Sequence, residues 1–422
     1  MTLSIQNVGR VRADEEANGA FAAEATLGSM EDVPVIEGSV KVTMDRPYES
    51  PKMLQQHIDG QPSKVAMPRR ASLSCSLNMR GTTVRGTSTL TEANVLPAGR
   101  HLFKVAMGEV NYGTGTTIAS TSTVSVLNVT AAAGLLEGGA VVLATGVGGA
   151  LECREIKQIT GNAVTLKVPL SSAPAIADLV LACVTYSLGN LDGSTVTSLQ
   201  LLVEGLDALD RWLLKGGQIS APPKFSLQPG TIPTVDWAWQ FADHKKADGA
   251  ETAMDPSLTA LGDQNYTDSM INAVMESELR VVQHGASTLV DTLVDASDIS
   301  IEPNIVYEPH TTPGGVNNIK QWVRTRASGP AVTGSFLLPY ESTYWRESRD
   351  IEQAYALSYQ IGSSMDGGGF MISVPHVVVD SFDRETVGGI AGQRVTWFAR
   401  LDTQTNDNST PLQKSALRVH MF

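Results

Sequence analysis

The chain has 422 residues, 42% hydrophobic and 18% charged, with a formal net charge of −13 and a pI near 5.0. That length allows two or three domains, and the acidic balance argues against a protein that clasps nucleic acid, whose affinity comes from phosphate neutralisation by Lys and Arg. Three cysteines, Cys75, Cys153 and Cys183, are too few for a disulfide framework or a four-thiolate zinc site, and with no signal-type segment in MTLSIQNVGRVRADEEANG and no apolar run near the ~18 residues of a membrane helix, a soluble chain made in a reducing cytoplasm is expected.

Strict alternation dominates the chain. In 36–44, Ile36, Val40, Val42 and Met44 oppose Glu37, Ser39, Lys41 and Thr43. In 71–80, Ala71, Leu73, Cys75, Leu77 and Met79 oppose Ser72, Ser74, Ser76, Asn78 and Arg80. Period two over such lengths predicts half-buried antiparallel strands. A helix is predicted over 96–107, with Pro97 near its first turn and Gly108 after its end. The stretch 126–184 has its own character. Gly161-Asn162 between two alternating runs is a hairpin signal, and Pro169 ends the second run. Further strands are expected at 199–204, 235–242, 299–306, 332–338, 372–379 and 394–401. A second helix is expected at 343–357, and 268–282 is either helix or, at its end, strand. The class is mainly β with few helices.

An internal repeat runs through this order. Strand 36–44, polar loop 45–70, strand 71–80 and helix 96–107 parallel strand 299–307, polar loop 308–330, strand 332–338 and helix 343–357. Both copies close alike: Ile219-Ser220-Ala221-Pro222 matches Ile372-Ser373-Val374-Pro375, and Val235-Asp236-Trp237 matches Val395-Thr396-Trp397. The predicted boundaries are therefore a discontinuous first domain at 1–125 and 185–245, a small all-β insertion at 126–184, and a second domain at 246–422.

No legible chemistry interrupts this pattern. The seven His (His57, His101, His244, His284, His310, His376 and His420) include no pair at the i, i+4 spacing of a helical metal site. There is no G-x-S-x-G elbow. Gly146-Val147-Gly148-Gly149 lacks the Lys-Ser or Lys-Thr of a phosphate loop and reads as a turn, as do the other glycine clusters. Cys75 is expected to be a core hydrophobe. Trp237, Trp239 and Trp397 read as core or interface anchors, while Trp322, in a polar loop, is either a docking contact or locally buried. No catalytic residue, metal site or cofactor is predicted.

The stretches IEGSVKVTM, PRRASLSCSLNMRGTTVRG, VLPAGRHLFKVAMG, YSLGNLDGSTVTSLQLLVEG, APPKFSLQPGTIPTVDWAWQF, GGIAGQRVTWFARLDT and the closing LRVHMF resemble the major tail tube proteins of long-tailed bacteriophages. QITGNAVTLKVPLSSAPAIAD is similar to a small β insertion of some of them. The resemblance implies two tube-type β-sandwich or curled-sheet domains, each flanked by a helix, and a structural, non-enzymatic virion protein made in the host bacterium. It implies homotrimeric rings of pseudo-sixfold shape, or hexamers, stacked into a conduit for DNA. The tape measure protein and DNA would occupy the lumen without specific binding, and tail terminator and baseplate or distal tail proteins would cap the tube, with no membrane partner. The long loops would reach the next ring through Arg46, Tyr48, Lys52 and His57 in one, and His310, Lys320, Trp322 and Arg324 in the other. Glu37, Ser39, Thr43, Ser72, Ser74, Ser76 and Asn78 are candidates to face the lumen, the alternative being an ordinary outer face. A terminator or distal tail ring of the same fold is the alternative position. A cell-surface-binding β module is a third reading, against which the insertion contains no Trp, Phe or Tyr.

Overall fold

The computed structural model describes residues 2–5, 8–16, 21–22, 30–45, 48–49, 65–66, 68–79, 81, 90, 99–146, 149–188, 196–205, 211–227, 231–246, 277–284, 289–292, 296–325, 329–340, 343–362, 369–387, 390–400 and 410–422. The fold is mainly β. In chain order the first elements are β1 (Thr2–Ile5), β2 (Val8–Glu15), β3 (Glu31–Asp32), β4 (Lys41–Asp45), β5 (Tyr48–Glu49), β6 (Val65–Ala66), β7 (Arg70–Asn78), α1 (Arg100–Met107) and β8 (Gly108–Tyr112). A separate run follows: β9 (Thr116–Thr117), β10 (Val126–Asn128), β11 (Ala140–Leu143), β12 (Glu152–Thr160), β13 (Ala163–Leu166) and β14 (Leu179–Ala182). Then come β15 (Val184–Leu188), β16 (Leu199–Gly205), β17 (Arg211–Ser226) and β18 (Thr234–Lys246). The last part holds β19 (Ser277–Gln283), β20 (Leu289–Thr292), β21 (Ser297–Pro303), β22 (Val306–Val316), β23 (Ile319–Thr325), β24 (Val332–Leu338), α2 (Thr343–Asp350), β25 (Ala354–Ile361), β26 (Phe370–Val387), β27 (Ile390–Ala399), α3 (Pro411–Lys414) and β28 (Arg418–Met421).

The sheet carries the same strand order twice. In the first half, β4 pairs with β7, β7 with β18, β18 with β17, β17 with β16, and β16 with β2. In the second, β21 pairs with β24, β24 with β27, β27 with β26, β26 with β25, and β25 with β19. Every pairing is antiparallel. A helix follows the second strand of each series, and a hairpin, β5–β6 or β22–β23, separates the first strand from the second. The halves join where Phe225 and Ser226, at the end of β17, pair with Ile301 and Ser300 of β21.

Alternation explains the burial. Ala71, Leu73, Cys75 and Leu77 are buried, with Met79 just beyond the strand end, while Ser72 is exposed and Ser74, Ser76 and Asn78 are half-buried. Trp237 and Trp239 stand on the same side of β18, opposite Cys75 and Leu73. Over that apolar face lies α1, bounded by Gly99 and Gly108 in left-handed conformation (φ 74 and 91). Its Phe103 meets the edge of Trp237 at 5.1 Å, an edge-to-face aromatic contact. In the second half Trp345 of α2 meets Phe336 at 5.3 Å. The close approach in the second copy needs Gly334, because a Cβ there would collide with the Trp397 ring and the Ser300 carbonyl. One apolar core runs through both halves.

Several sequence expectations change. Residues 36–40 form a turn at Gly38 (φ 72) rather than strand. The first helix begins at Arg100. The second ends at Asp350, not 357: Glu352 adopts a left-handed conformation (φ 50), and Ala354–Ile361 becomes a strand buried between β19 and β26. Pairing on both edges overrides the helical spacing. The 308–330 loop is largely the β22–β23 hairpin. Residues 268–276 lie outside the described residues, and 277–283 is strand. The repeat match also shifts in register. Ile219 pairs with Trp239 while Val377 pairs with Ala399, so on the ladder Ile219 corresponds to Val377 and not to Ile372.

Strands β9–β14 form their own six-stranded sheet with its own core, including Leu127, Val141, Ile156, Val164 and Val180. Gly161 (φ 61) and Asn162 make the tight turn between β12 and β13. Strands β8 and β15, on either side of this sheet in sequence, join β28 and through it β26.

Candidate functional site

The candidate surfaces are the second hairpin and the polar face of the repeated sheet. The hairpin turns at Asn317 and Asn318, both left-handed (φ 48 and 68), which suits asparagine. It folds back on the first half of its own chain. Trp322 is 2% exposed and its Nε1 donates to the Gly216 carbonyl of β17 at 2.7 Å. Asn317 Nδ2 donates to the Ala242 carbonyl (2.9 Å) and to Asp243 Oδ1 (3.0 Å). Tyr307 donates its hydroxyl to the Ala106 carbonyl at the end of α1 (3.2 Å). Trp322 is therefore an anchor within the subunit and not an exposed docking contact. Arg324 is half-buried, and burial lowers its pKa. Among the described members of this candidate set, His310 and Lys320 are the exposed ones. Arg46, Lys52 and His57 lie outside the described residues, and of Tyr48 only the backbone is described.

On the polar face, Ser76 Oγ donates to Asp236 Oδ1 (2.5 Å). Ser39 Oγ donates to the Ile36 carbonyl (2.6 Å) and accepts from Ser76 N (3.1 Å). Thr43 stands opposite Ser72, which in turn faces Gln240. Glu37 is exposed in the Gly38 turn. What sequence reading missed is how far this face extends. Asn78 pairs with Thr234, Thr234 with Ser226, Ser226 with Ser300, Ser300 with Ser335, Ser335 with Thr396, and Thr396 with Ser381. This unbroken row crosses seven strands and both halves, and every member is half-exposed, small and uncharged. The serines and threonines were visible in the sequence, but their alignment depends on the β17–β21 junction.

A second polar system is buried and fastens the small sheet to the second half. Glu152 accepts from Arg154 (2.7 Å) and from Arg280 of β19 (3.0 Å). Gln360 of β25 accepts from Cys153 N (2.9 Å) and donates to the Leu151 carbonyl (2.8 Å). Arg418, fully buried, pairs with Glu155, which Lys167 also contacts at 2.8 Å. Burial works against the Glu152 carboxylate, but the Arg154 charge and hydrogen bonds from Ser171 and Thr145 hold its pKa below the ordinary value. Cys153 and Cys183 lie buried in the apolar seam beside this network, their sulfurs 3.9 Å apart. Burial pushes the third thiol, Cys75, up to about 12, with the Asp236 charge adding to it.

Among the described residues no group of three or more His, Cys, Asp or Glu could hold a metal ion. A cavity lined by Asn111, Gly113, Leu135 and Cys183 has about 10 Å³ of room, the lower limit for one water. No described helix is long and apolar enough to cross a membrane. No protein-family model matches the chain, and a search of curated proteins finds no match.

Proposed function

We propose that this chain is the tube subunit of a long-tailed bacteriophage tail, a structural virion protein made in the host cytoplasm. Its copies close into rings, and the rings stack into the conduit through which DNA passes. The observation that carries this reading is the uncharged hydroxyl and amide row running across both copies of the sheet. The row itself offers phosphates hydrogen-bonding partners that water can replace and carries no cation, and Arg394, which reaches Ser335 Oγ from beside it, is already paired with Asp298 and Glu385. DNA therefore releases no counterions on contact and slides without being held. The candidates Ser72, Ser74, Ser76 and Asn78 belong to this face, and with the row they would line the bore. The duplicated strand order supports two tube units per chain, hence three chains to a pseudo-sixfold ring. The tape measure protein would share the lumen, with terminator and distal tail proteins at the ends.

The test is negative-stain electron microscopy of the purified protein together with its mass in solution. Stacked rings of three chains with a central hole are expected. Six chains per ring would keep the tube and remove the count of two units per chain. Single rings that never stack would turn the reading to a terminator or distal tail protein, and a monomer that never associates when concentrated would overturn it.

A further inference from the structure

The junction inside the chain is a template for one between chains. At that junction the tail of β17 lies on the edge of β21 away from β24, with Phe225 opposite Ile301 and Ser226 opposite Ser300. Phe225 and Ile301 are both buried there, at 2% and 4% exposure. The repeated ladder identifies the corresponding residues at the two outer ends of the molecule. Phe225 pairs with Val235, and Phe382 of β26 pairs with Val395, the equivalent valine beside each tryptophan. Phe382 is thus the second copy of Phe225, and Asp383 that of Ser226. On the other side Ser300 pairs with Ser335, while Ser39 hydrogen-bonds Ser76, the residue equivalent to Ser335. Val40 is thus the first copy of Ile301.

Both outer partners are incompletely covered. Phe382 is half-buried, with Arg346 and Arg349 over its ring at 5.2 and 4.8 Å. Val40 is half-buried against the core. Strand β1 covers the outer edge of β4 from Val42 to Asp45. Among the described residues no strand pairs there with Ser39 or Val40, and none pairs with β26 beyond Val378 on the side away from β27. Exposed Lys41 stands beside one open end and exposed Asp383 at the other.

We infer that the tail of β26 docks on the Ser39–Lys41 edge of a second copy of this chain, with Phe382 opposite Val40 and Asp383 opposite Ser39. The inference rests on the proposed self-assembly and specifies its interface. An open strand edge is satisfied by another strand. The contact is head to tail, so it closes into a ring if the rotation it repeats is that of the junction within the chain. The half-exposed Phe382 then takes the environment Phe225 already has.

The test is a double variant, Ser39→Cys with Asp383→Cys, oxidised in dilute solution and run on a non-reducing gel. The three native cysteines are buried. Covalent oligomers ending in one discrete closed species are expected, at least tenfold above either single variant. Tubes that assemble normally while the double variant stays monomeric on the gel would overturn the junction and leave the tube reading standing. Covalent oligomers that never form tubes would keep the junction and remove the tube reading. As a second variant, Phe382→Glu should abolish assembly with an unchanged circular dichroism spectrum. Normal assembly of that variant would overturn the junction as well.

Discussion

His420 shows how a polar side chain is held in this core. It is fully buried, with Thr185 Oγ1 at 2.9 Å from Nδ1 and Ser373 Oγ at 2.9 Å from Nε2. Burial penalises the imidazolium and takes its pKa down to about 3 from an ordinary 6.5. Between those values the unfolded chain binds a proton that the folded chain refuses. Stability is therefore complete above pH 6.5 and falls as pH drops below it, by up to about 1.4 kcal/mol per pH unit from this group. Urea midpoints from pH 7 to pH 4 should show that slope, and His420→Gln should flatten it. His101 acts the other way. Burial works against its charge, but the hydrogen bonds it donates to Glu15 and Glu31 and the Glu31 charge outweigh it and raise the pKa. Its contribution is present below 6.5 and lost as pH climbs. The signature of His420 is therefore the part of the acid-side slope that His420→Gln removes between pH 6.5 and about 5, since below that range carboxylates held low by their partners, such as Glu152, add a slope of the same sign. None of this was legible in sequence, where His420 is one histidine near the end of an alternating strand.

At the level of elements, β26 is the member with most to do. Its first residues pair with β25 on one edge and β28 on the other, and its second part pairs with β27. The C-terminal β28 thereby ties the small sheet to the second half, and Arg418 is its anchor. Removing one partner of a buried, hydrogen-bonded ion pair leaves the other charge uncompensated, at a cost of about 3–5 kcal/mol. Arg418→Ala should therefore lower stability in denaturant titrations, by less than that full amount, because Glu155 would remain buried but still partly compensated by Lys167 at 2.8 Å. Replacement of the exposed Arg349, whose partner Asp350 is also exposed and which lies over the Phe382 ring, should change stability by no more than about 1 kcal/mol. The strand character of β26 was read over 372–379. Its length and its split partnership were not, because period-two alternation shows a strand but says nothing of which strands flank it.

For the whole molecule, the second hairpin folds onto the first half, so cutting it out would strip Trp322 from the core and test folding rather than assembly. Surface substitution separates the two. His310→Glu with Lys320→Glu should leave thermal stability unchanged within a degree or two, because both side chains are exposed. If the outer side of this hairpin meets the next ring, the same variant should form rings that stack into markedly shorter tubes, counted by electron microscopy. Tubes of full length would remove the hairpin from the stacking contact. The duplication itself was legible in the order and spacing of elements, although the Ile219 to Ile372 match was a coincidence of sequence, since the ladder sets Ile219 with Val377.

Local chemistry alone determined the mainly β class, the inward faces of β7 and β18, the Gly161-Asn162 turn and the twofold order of elements. Each of these follows from side-chain period or from backbone conformations that few residues adopt. Tertiary structure decided the rest. Ala354–Ile361 became a strand because neighbours waited on both its edges, and Trp322 was buried because the hairpin found the Gly216 carbonyl. The hydroxyl row exists only because β17 meets β21. Contacts between residues far apart in sequence depend on register, and register is a property of the closed sheet rather than of any one strand.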